Sequence, residues 1–410
     1  MEKMTIYPSK IKGNVKISGS KNASLPIIAA SLVSAKKVKL KNVPYIADIE
    51  NLLKILSKIG CKNVYKNNKL TINNNLEECD LLFDEVKKFR ASYYLMSVYL
   101  ALFNYVKIYY PGGCSIGSRP IDFHLEGFKT AGCVVTEDED VITISSKELK
   151  PFIYKMVKKS LGATVNLIIL GSKIKGKSII KNASTEPEID DLIKFINKGN
   201  AKAYRKENDI IIIGNKELAK KINHKIIPDR IECFTYMCIG LTSDKLKIKN
   251  IQKEHLMMPI HYFKSINANI KINKNSIIIK KSILKNVRVN SGDYPSLSTD
   301  QMPLLYPIFT RVDGISIFTE GVFENRFSVC DELKKTGANI TLENNHAVIN
   351  GKKEIIGCDL YPTDLRAAAS LLIEGILNQN SVIHNLKYLE RGYDRIYEKL
   401  KKIGLNFKLE

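Results

Sequence analysis

The sequence predicts an α/β protein of two domains, each built from three βαβαββ modules with the helices inside and the sheets outside. Three observations lead there. Short β-rich runs closed by an Asn or Gly turn recur six times, starting at Val38, Val106, Ser178, Leu246, Ile315 and Val382, at steps of 68, 72, 68, 69 and 67 residues. A fixed period of this kind is the mark of a repeated supersecondary unit. A second series, out of phase with the first, opens at Lys21, Arg90, Ser160, Arg230, Asp300 and Arg366, spaced 69, 70, 70, 70 and 66. Its sequences are apolar nearly all round, which is the pattern of a buried helix. Finally, 410 residues are long enough for two well-buried cores, whereas six modules of about 68 residues exceed one.

The elements follow in chain order. The apolar helix from Lys21, "SLPIIAASLV", needs a strand before it, and "VKISGS" supplies one. The run "VKLKNV" then gives a strand, "DIENLLKILSKIG" an amphipathic helix and "CKNVYKNNKLTI" a hairpin, read from periods of 3.6 and 2. The same order repeats after "ASYYLMSVYLAL", "LGATVNLIILG" and "AAASLLIEG", and "RFSVCDELKKTGANITLENNHAVI" is a further copy of the amphipathic helix and hairpin. If each domain closes on itself, residues 1 to 20 complete the last module. The domains are then 1–20 plus 229–410 and 21–228, joined by a double-crossover hinge with one crossing near residue 20 and one at "IIPDRIE".

Composition narrows the function. With 44% hydrophobic and 26% charged residues the chain is an ordinary globular protein, and disorder is excluded. No apolar run has the length of a membrane span and the start carries no signal-peptide core, so a cytoplasmic protein with no membrane partner is expected. The formal charge of +22 points to anionic partners. Lys is mixed with Asn and Ile along the whole chain and forms no single basic stripe, and no nucleic-acid signature occurs. Most of this charge therefore reads as compositional habit, with a part concentrated at a site for small anions. The eight cysteines contain no CxxC pair, so neither a zinc site nor a disulfide framework is indicated.

The polar openings of the apolar helices are where that anion site is expected. Helices packed in parallel aim their N-termini at one place, each carrying about half a positive charge on free N–H groups. Lys21, Arg90, Arg230 and Arg366 lie at these openings, and Arg119, Arg326 and Arg391 lie on the other series. Together they make a cleft for phosphate and carboxylate groups.

The segments "SGSKNASLPIIAASL", "FRASYYLM", "PGGCSIGSRPIDFHLEGF", "KKSLGATVNLIIL", "IIPDRIE", "STD", "EGVFENRF", "TDLRAAASLL" and "RGYDRIYEKLKKIG", spread over all six modules, resemble the UDP-N-acetylglucosamine enolpyruvyl transferases of the EPSP synthase superfamily. The resemblance implies two inside-out α/β barrels, and transfer of enolpyruvyl from phosphoenolpyruvate to the 3′-hydroxyl of UDP-N-acetylglucosamine with release of phosphate. It implies no metal, no cofactor and no nucleic-acid partner, in a monomer or weak homo-oligomer. The reaction adds an alcohol across an enol double bond and then eliminates phosphate. It needs an acid, a base and cations.

By resemblance, Cys114 protonates the vinyl carbon. Flanking glycines let its loop close, and Arg119 and backbone N–H groups draw its thiol toward neutrality. Asp300 accepts the hydroxyl proton. Lys21, Asn22, Arg119, Arg366 and Arg391 hold phosphoenolpyruvate. Arg90, the run Arg119, Pro120, Ile121, Asp122 and Phe123, and the segment Lys158, Ser160, Leu161 and Gly162 contact the nucleotide. Val322 offers its backbone to the acetamido sugar. Asp48, Asp229, Glu186, Glu188 and Glu324 read as structural groups at helix ends. Departures such as "YPSLSTD" and Lys159 keep open a paralogue that takes a modified nucleotide sugar. Two further alternatives are an enolpyruvylshikimate-phosphate synthase, and an anion- or RNA-binding protein on an inactive scaffold.

Overall fold

The computed structural model describes residues 2–112, 121–351 and 354–410, without the side chain of Glu324. The chain divides into two compact units, one from residues 2–18 and 228–410, the other from residues 19–112 and 121–227.

In the unit of residues 19–227, three buried elements pack on one another. They are the helix Lys21–Ser34, the 3₁₀ turn Arg90–Tyr93 running into the helix Tyr94–Phe103, and the helix Leu161–Gly171. Every residue from Ala23 to Ser34 and from Gly162 to Gly171 is buried, because no polar face exists to be turned outward. Two of the three sheets in this unit pair two parallel strands and add an antiparallel hairpin, and the remaining one keeps the parallel neighbour only as a single bridge. One has the order Ala219–Lys225, Ala35–Lys41, Lys69–Asn73, Lys62–Lys66. The next has Tyr105–Tyr109, Val141–Ser145 and Val134–Asp138, with a single parallel bridge from Leu81 to Ile108. The third has Ile153–Lys155, Gly176–Lys181, Asp209–Gly214 and Lys202–Lys206. Amphipathic helices cover the sheet ends; Ala47–Lys58, for example, buries Ile49, Leu52, Ile55 and Leu56.

The unit of residues 2–18 and 228–410 repeats the scheme. Its buried elements are Arg230–Gly240, the broken pair Met302–Leu304 and Tyr306–Phe309, and Leu365–Asn378. Its sheets are Lys12–Lys16, Lys245–Lys249, Ser276–Lys280, Asn269–Ile272; Arg288–Asn290, Ile315–Thr319, His346–Asn350, Asn339–Glu343; and Asp359–Leu360, Val382–His384, Lys3–Ile6, Phe407–Leu409. Six βαβαββ modules, three to a unit, are thus present among the described residues.

Two expectations need correction. The strand in "VKISGS", Lys12–Lys16, precedes the Lys21 helix in sequence but pairs in parallel with Lys245–Lys249. The parallel partner of Ala35–Lys41 is instead Ala219–Lys225, from the far end of the same unit. The chain changes unit between strand and helix, so sequence adjacency misleads there. Asp300 does not open a regular helix either. It sits in a turn ahead of two short pieces, because Pro307 has no N–H to donate back and its ring crowds the carbonyl four residues earlier.

One residue recurs for a physical reason. In four modules the second parallel strand ends on an Asn at positive φ: Asn42 (61°), Asn182 (54°), Asn250 (61°) and Asn385 (51°). Asn tolerates this left-handed region better than most residues. Each side-chain amide then donates to a carbonyl just past the parallel neighbour: Asn42 to Ile226 (3.0 Å), Asn182 to Met156 (2.9 Å), Asn250 to Ile17 (2.6 Å) and Asn385 to Pro362 (3.4 Å). The bond latches the ends of the two parallel strands. In the other two modules the equivalent positions are Tyr110 and Glu320.

Candidate active site

Of the sequence-predicted site residues, Cys114, Arg119 and Pro120 lie outside the described residues. The others fall in two groups, one in each unit.

In the unit of residues 19–227, Lys21 is the first residue of its helix, followed by the half-buried Asn22. Its ammonium lies 2.6 Å from Asp48 Oδ2, on the first turn of the helix Ala47–Lys58. The buried carboxylate fixes the direction of a flexible lysine. Arg90 opens the 3₁₀ turn, with its guanidinium 5.6 Å from the centre of the Tyr93 ring. Ser160 caps its helix by accepting from the N–H of Ala163 at 3.3 Å. It is followed by Leu161 and the buried Gly162, while Lys158 is exposed. Gly162 packs closely, since a Cβ there would stand 2.5 Å from Tyr93 Oη and 3.0 Å from His124 Cε1 and would have to displace these rings. Buried Ile121, exposed Asp122 and half-buried Phe123 lead into the helix Asp122–Thr130.

Beneath these residues is a neutral polar cluster. His124, 3% exposed, takes a hydrogen bond on Nδ1 from the Asn166 amide at 2.7 Å, which assigns the ring proton to Nε2. The same amide donates to the Tyr93 carbonyl at 3.2 Å, and Ser97 Oγ donates to Asn166 Oδ1 at 2.7 Å. Burial, reinforced by the Arg90 charge, pulls the imidazole down to about 3, so the ring is uncharged. Residues 93 and 97 on one helix meet residue 166 on its neighbour. The cluster therefore locks together the N-terminal turns that carry Arg90 and Gly162.

In the unit of residues 2–18 and 228–410 the corresponding cluster is charged. Asp300 receives Arg326 at 2.8 Å on Oδ1 and Arg366 at 2.9 Å on Oδ2. Arg326 is 3% exposed and also stands 3.8 Å from Asp364. Asp364 caps the helix Leu365–Asn378 by accepting from the N–H groups of Arg366 and Ala367. Arg366 donates to Tyr393 Oη at 3.4 Å. Its burial works against the charge, but Asp300 and Tyr393 outweigh this and raise it above its usual value. Contacts then climb in step, with 300 on 366, Pro303 on Ser370 and Arg311 on Glu374. The broken pair and its neighbouring helix therefore run parallel and present their N-terminal ends together. Val322 is 44% exposed in the loop after Thr319, and half-buried Arg391 follows the helix Lys387–Glu390.

Two of the groups read as structural lie at helix starts, and a third, Asp48, pairs with Lys21. Asp229 caps the helix Arg230–Gly240 at 2.8 and 2.9 Å from the N–H groups of Ile231 and Glu232, and Glu188 is buried in a first turn. Burial pushes the thiol of Cys61 up to about 11 and those of Cys133 and Cys330 up to about 12, leaving them protonated and poorly nucleophilic at neutral pH. Sequence reasoning missed Glu320, Thr299, Asn166 and the pairing of Arg326 with Asp300. Asn166 was detectable as a polar residue inside an otherwise apolar helix.

With this geometry in hand, the matches to known proteins can be read. A family model described as EPSP synthase (3-phosphoshikimate 1-carboxyvinyltransferase) matches residues 6–400. A protein of Halothermothrix orenii named UDP-N-acetylglucosamine 1-carboxyvinyltransferase is 37% identical over 402 residues, covering 97% of each chain. A protein of the same name from Kosmotoga olearia is 38% identical, covering 96% of each. Among solved structures, the enolpyruvyl transferase NikO from Streptomyces tendae superposes with a TM-score of 0.90 at 20% identity, over 99% of this chain and 98% of that one. An EPSP synthase from Acinetobacter baumannii gives 0.80 at 18%, over 100% and 99%. These two likenesses establish a shared fold. No described helix is long and apolar enough to cross a membrane.

Proposed function

We infer the reaction from a premise that the matches establish: the chain belongs to the EPSP synthase family and, within it, to the UDP-N-acetylglucosamine 1-carboxyvinyltransferases. The chain transfers the enolpyruvyl group of phosphoenolpyruvate to the 3′-hydroxyl of UDP-N-acetylglucosamine and releases phosphate. This is the cytoplasmic step that commits the nucleotide sugar to peptidoglycan. The observation that carries the reading is identity above one third over nearly the whole of both chains.

In the addition step the sugar hydroxyl oxygen bonds to C2 of the enol, its proton passes to Asp300, and Cys114 delivers a proton to C3. In the elimination step C3 loses a proton, the double bond returns and the C2–O bond to phosphate breaks. Cationic groups stabilise the negative charge that develops as phosphate leaves. Lys21, Asn22, Arg119, Arg366 and Arg391 hold the donor. Arg90, the run from Arg119 to Phe123, and the segment Lys158 with Ser160 to Gly162 hold the nucleotide, and Val322 holds the acetamido sugar.

The pair Arg366–Asp300 gives this assignment a consequence. A guanidinium binds a carboxylate through two parallel donors, so the donor's carboxylate competes with Asp300 for Arg366. Binding of phosphoenolpyruvate then frees one Asp300 oxygen to accept the hydroxyl proton.

Phosphate release from phosphoenolpyruvate, measured with UDP-N-acetylglucosamine and separately with shikimate 3-phosphate, tests the reading. Turnover is expected with the nucleotide sugar alone. Turnover with shikimate 3-phosphate and none with the sugar would overturn it.

A further inference from the structure

At the position where four modules end a strand on a latching Asn, the fifth carries Glu320, and its contacts are of a different kind. The side chain is 4% exposed. Oε1 accepts from the N–H of Val322 at 2.8 Å, the N–H of Phe323 at 3.3 Å and Ser291 Oγ at 2.8 Å, and Oε2 accepts from Thr299 Oγ1 at 2.9 Å. Ser291 Oγ in turn accepts from the N–H of Gly321 at 3.1 Å. Thr299 Oγ1 accepts from Arg326 Nε at 3.0 Å, and the other end of that guanidinium holds Asp300. With three donors on Oε1 and one on Oε2, neither buried oxygen is left without a partner.

The Asn latches donate one bond to one backbone carbonyl and join two strand ends. Glu320 accepts from three segments: residues 322–323, Ser291 just past the parallel strand Arg288–Asn290, and Thr299 next to Asp300. Its backbone still does the local work, since its N–H bonds the Asn345 carbonyl at 2.8 Å and its carbonyl accepts from the Asn345 amide at 3.2 Å. The carboxylate is therefore surplus to closing the module.

We propose that Glu320 is a positioning residue that fixes the backbone of Val322 in register with Asp300, so that the acceptor sugar and its proton acceptor are held by one rigid element. The inference rests on the functional reading above. It assigns to Glu320 control of the nucleotide-sugar acceptor, while the donor is left to Lys21, Asn22, Arg119, Arg366 and Arg391. The sequence around it has a simple logic. A carboxylate can serve several donors at once, whereas the Asn used elsewhere would present an NH₂ group to the N–H groups of Val322 and Phe323.

The test is steady-state kinetics of the full chain with both substrates varied, for wild type, Glu320→Gln, Thr299→Val and Thr299→Ser. The Gln side chain is isosteric but uncharged: with its amide oxygen toward Val322 its NH₂ reverses the bond to Thr299 Oγ1, and turned the other way its NH₂ meets the N–H groups of Val322 and Phe323. Glu320→Gln is expected to raise KM for UDP-N-acetylglucosamine roughly tenfold, the scale of one lost charge-assisted hydrogen bond, with KM for phosphoenolpyruvate unchanged. Thr299→Val breaks the relay to Arg326 and is expected to lower kcat, and Thr299→Ser, which keeps the hydroxyl, to restore it. Glu320→Gln with both KM values unchanged, or both raised together, would overturn the inference, as would a Thr299→Val variant with wild-type kcat. A wild-type chain that releases no phosphate would instead overturn the functional reading itself.

Discussion

Four modules end their central strand on Asn42, Asn182, Asn250 or Asn385, and two do not. The four share one bond and one backbone conformation, and none of the residues assigned to proton transfer sits just beyond them. The two exceptions, Tyr110 and Glu320, stand immediately before the segment of Cys114 and the loop of Val322. The common device is thus given up at the two strand ends that lead into those segments. The two exceptional modules also differ from each other. Around Asp300 the polar groups are ions, two guanidinium groups on one carboxylate. Around His124 they are neutral, an imidazole, an amide and a hydroxyl. On the proposed assignment, a charged cluster suits the place where Asp300 takes up a proton and charge moves during reaction. A neutral one sets geometry beneath the proposed nucleotide contacts without adding charge that pH could alter near neutrality.

The contrast can be broken most severely at Asp300. Asp300→Asn keeps the shape and removes the charge that both Arg326 and Arg366 face. A lost general base costs on the order of 10²–10⁴-fold, so kcat is expected to fall within that range while far-UV circular dichroism is unchanged. A loss of less than about tenfold would show that the carboxylate only orders its arginines.

A smaller effect sharpens the neutral side. The His124 imidazole titrates at about 3 when folded and at 6.5 in its ordinary state. Between those values the unfolded chain binds a proton that the folded chain refuses, so stability falls as pH drops through the window, by about 1.4 kcal/mol per unit. His124→Gln retains an acceptor for Asn166 and cannot titrate. Denaturant midpoints of the two proteins at pH 6.5 and about pH 4.5 are expected to diverge, with wild type losing more. Parallel losses would mean that the ring is charged in the fold.

Much of this organisation was legible in the sequence, for reasons that differ by feature. The module period and the buried helices were visible because both are local patterns: an Asn turn after a β-rich run, and stretches such as "LGATVNLIILG" with no polar face. The partner of Lys12–Lys16 was not, because parallel pairing with Lys245–Lys249 spans more than half the chain and leaves no local trace. The broken element after Asp300 was readable in principle from Pro303 and Pro307, but the apolar run outweighed them. Lys21, Arg366 and Asp300 were recognisable as residues of a resembling motif. The partners that aim them, Asp48 for Lys21 and Arg326 for Asp300, follow only from contacts between separate segments. Glu320 lay inside a quoted motif, yet its use depends on Ser291 and Thr299, more than 20 residues away and unremarkable by themselves.

The most direct test of the central contrast is a paired one, kinetics and denaturant midpoints of Asn250→Ala beside Glu320→Gln. Asn250→Ala loses one hydrogen bond and the residue type that accepts a positive φ, and is expected to cost about 1–2 kcal/mol with KM for both substrates unchanged. Glu320→Gln is expected to raise KM for the nucleotide sugar alone. Indistinguishable kinetics in the two variants, or a raised sugar KM in Asn250→Ala, would contradict the division between an Asn that only latches two strand ends and a Glu that positions the contact to the acceptor sugar.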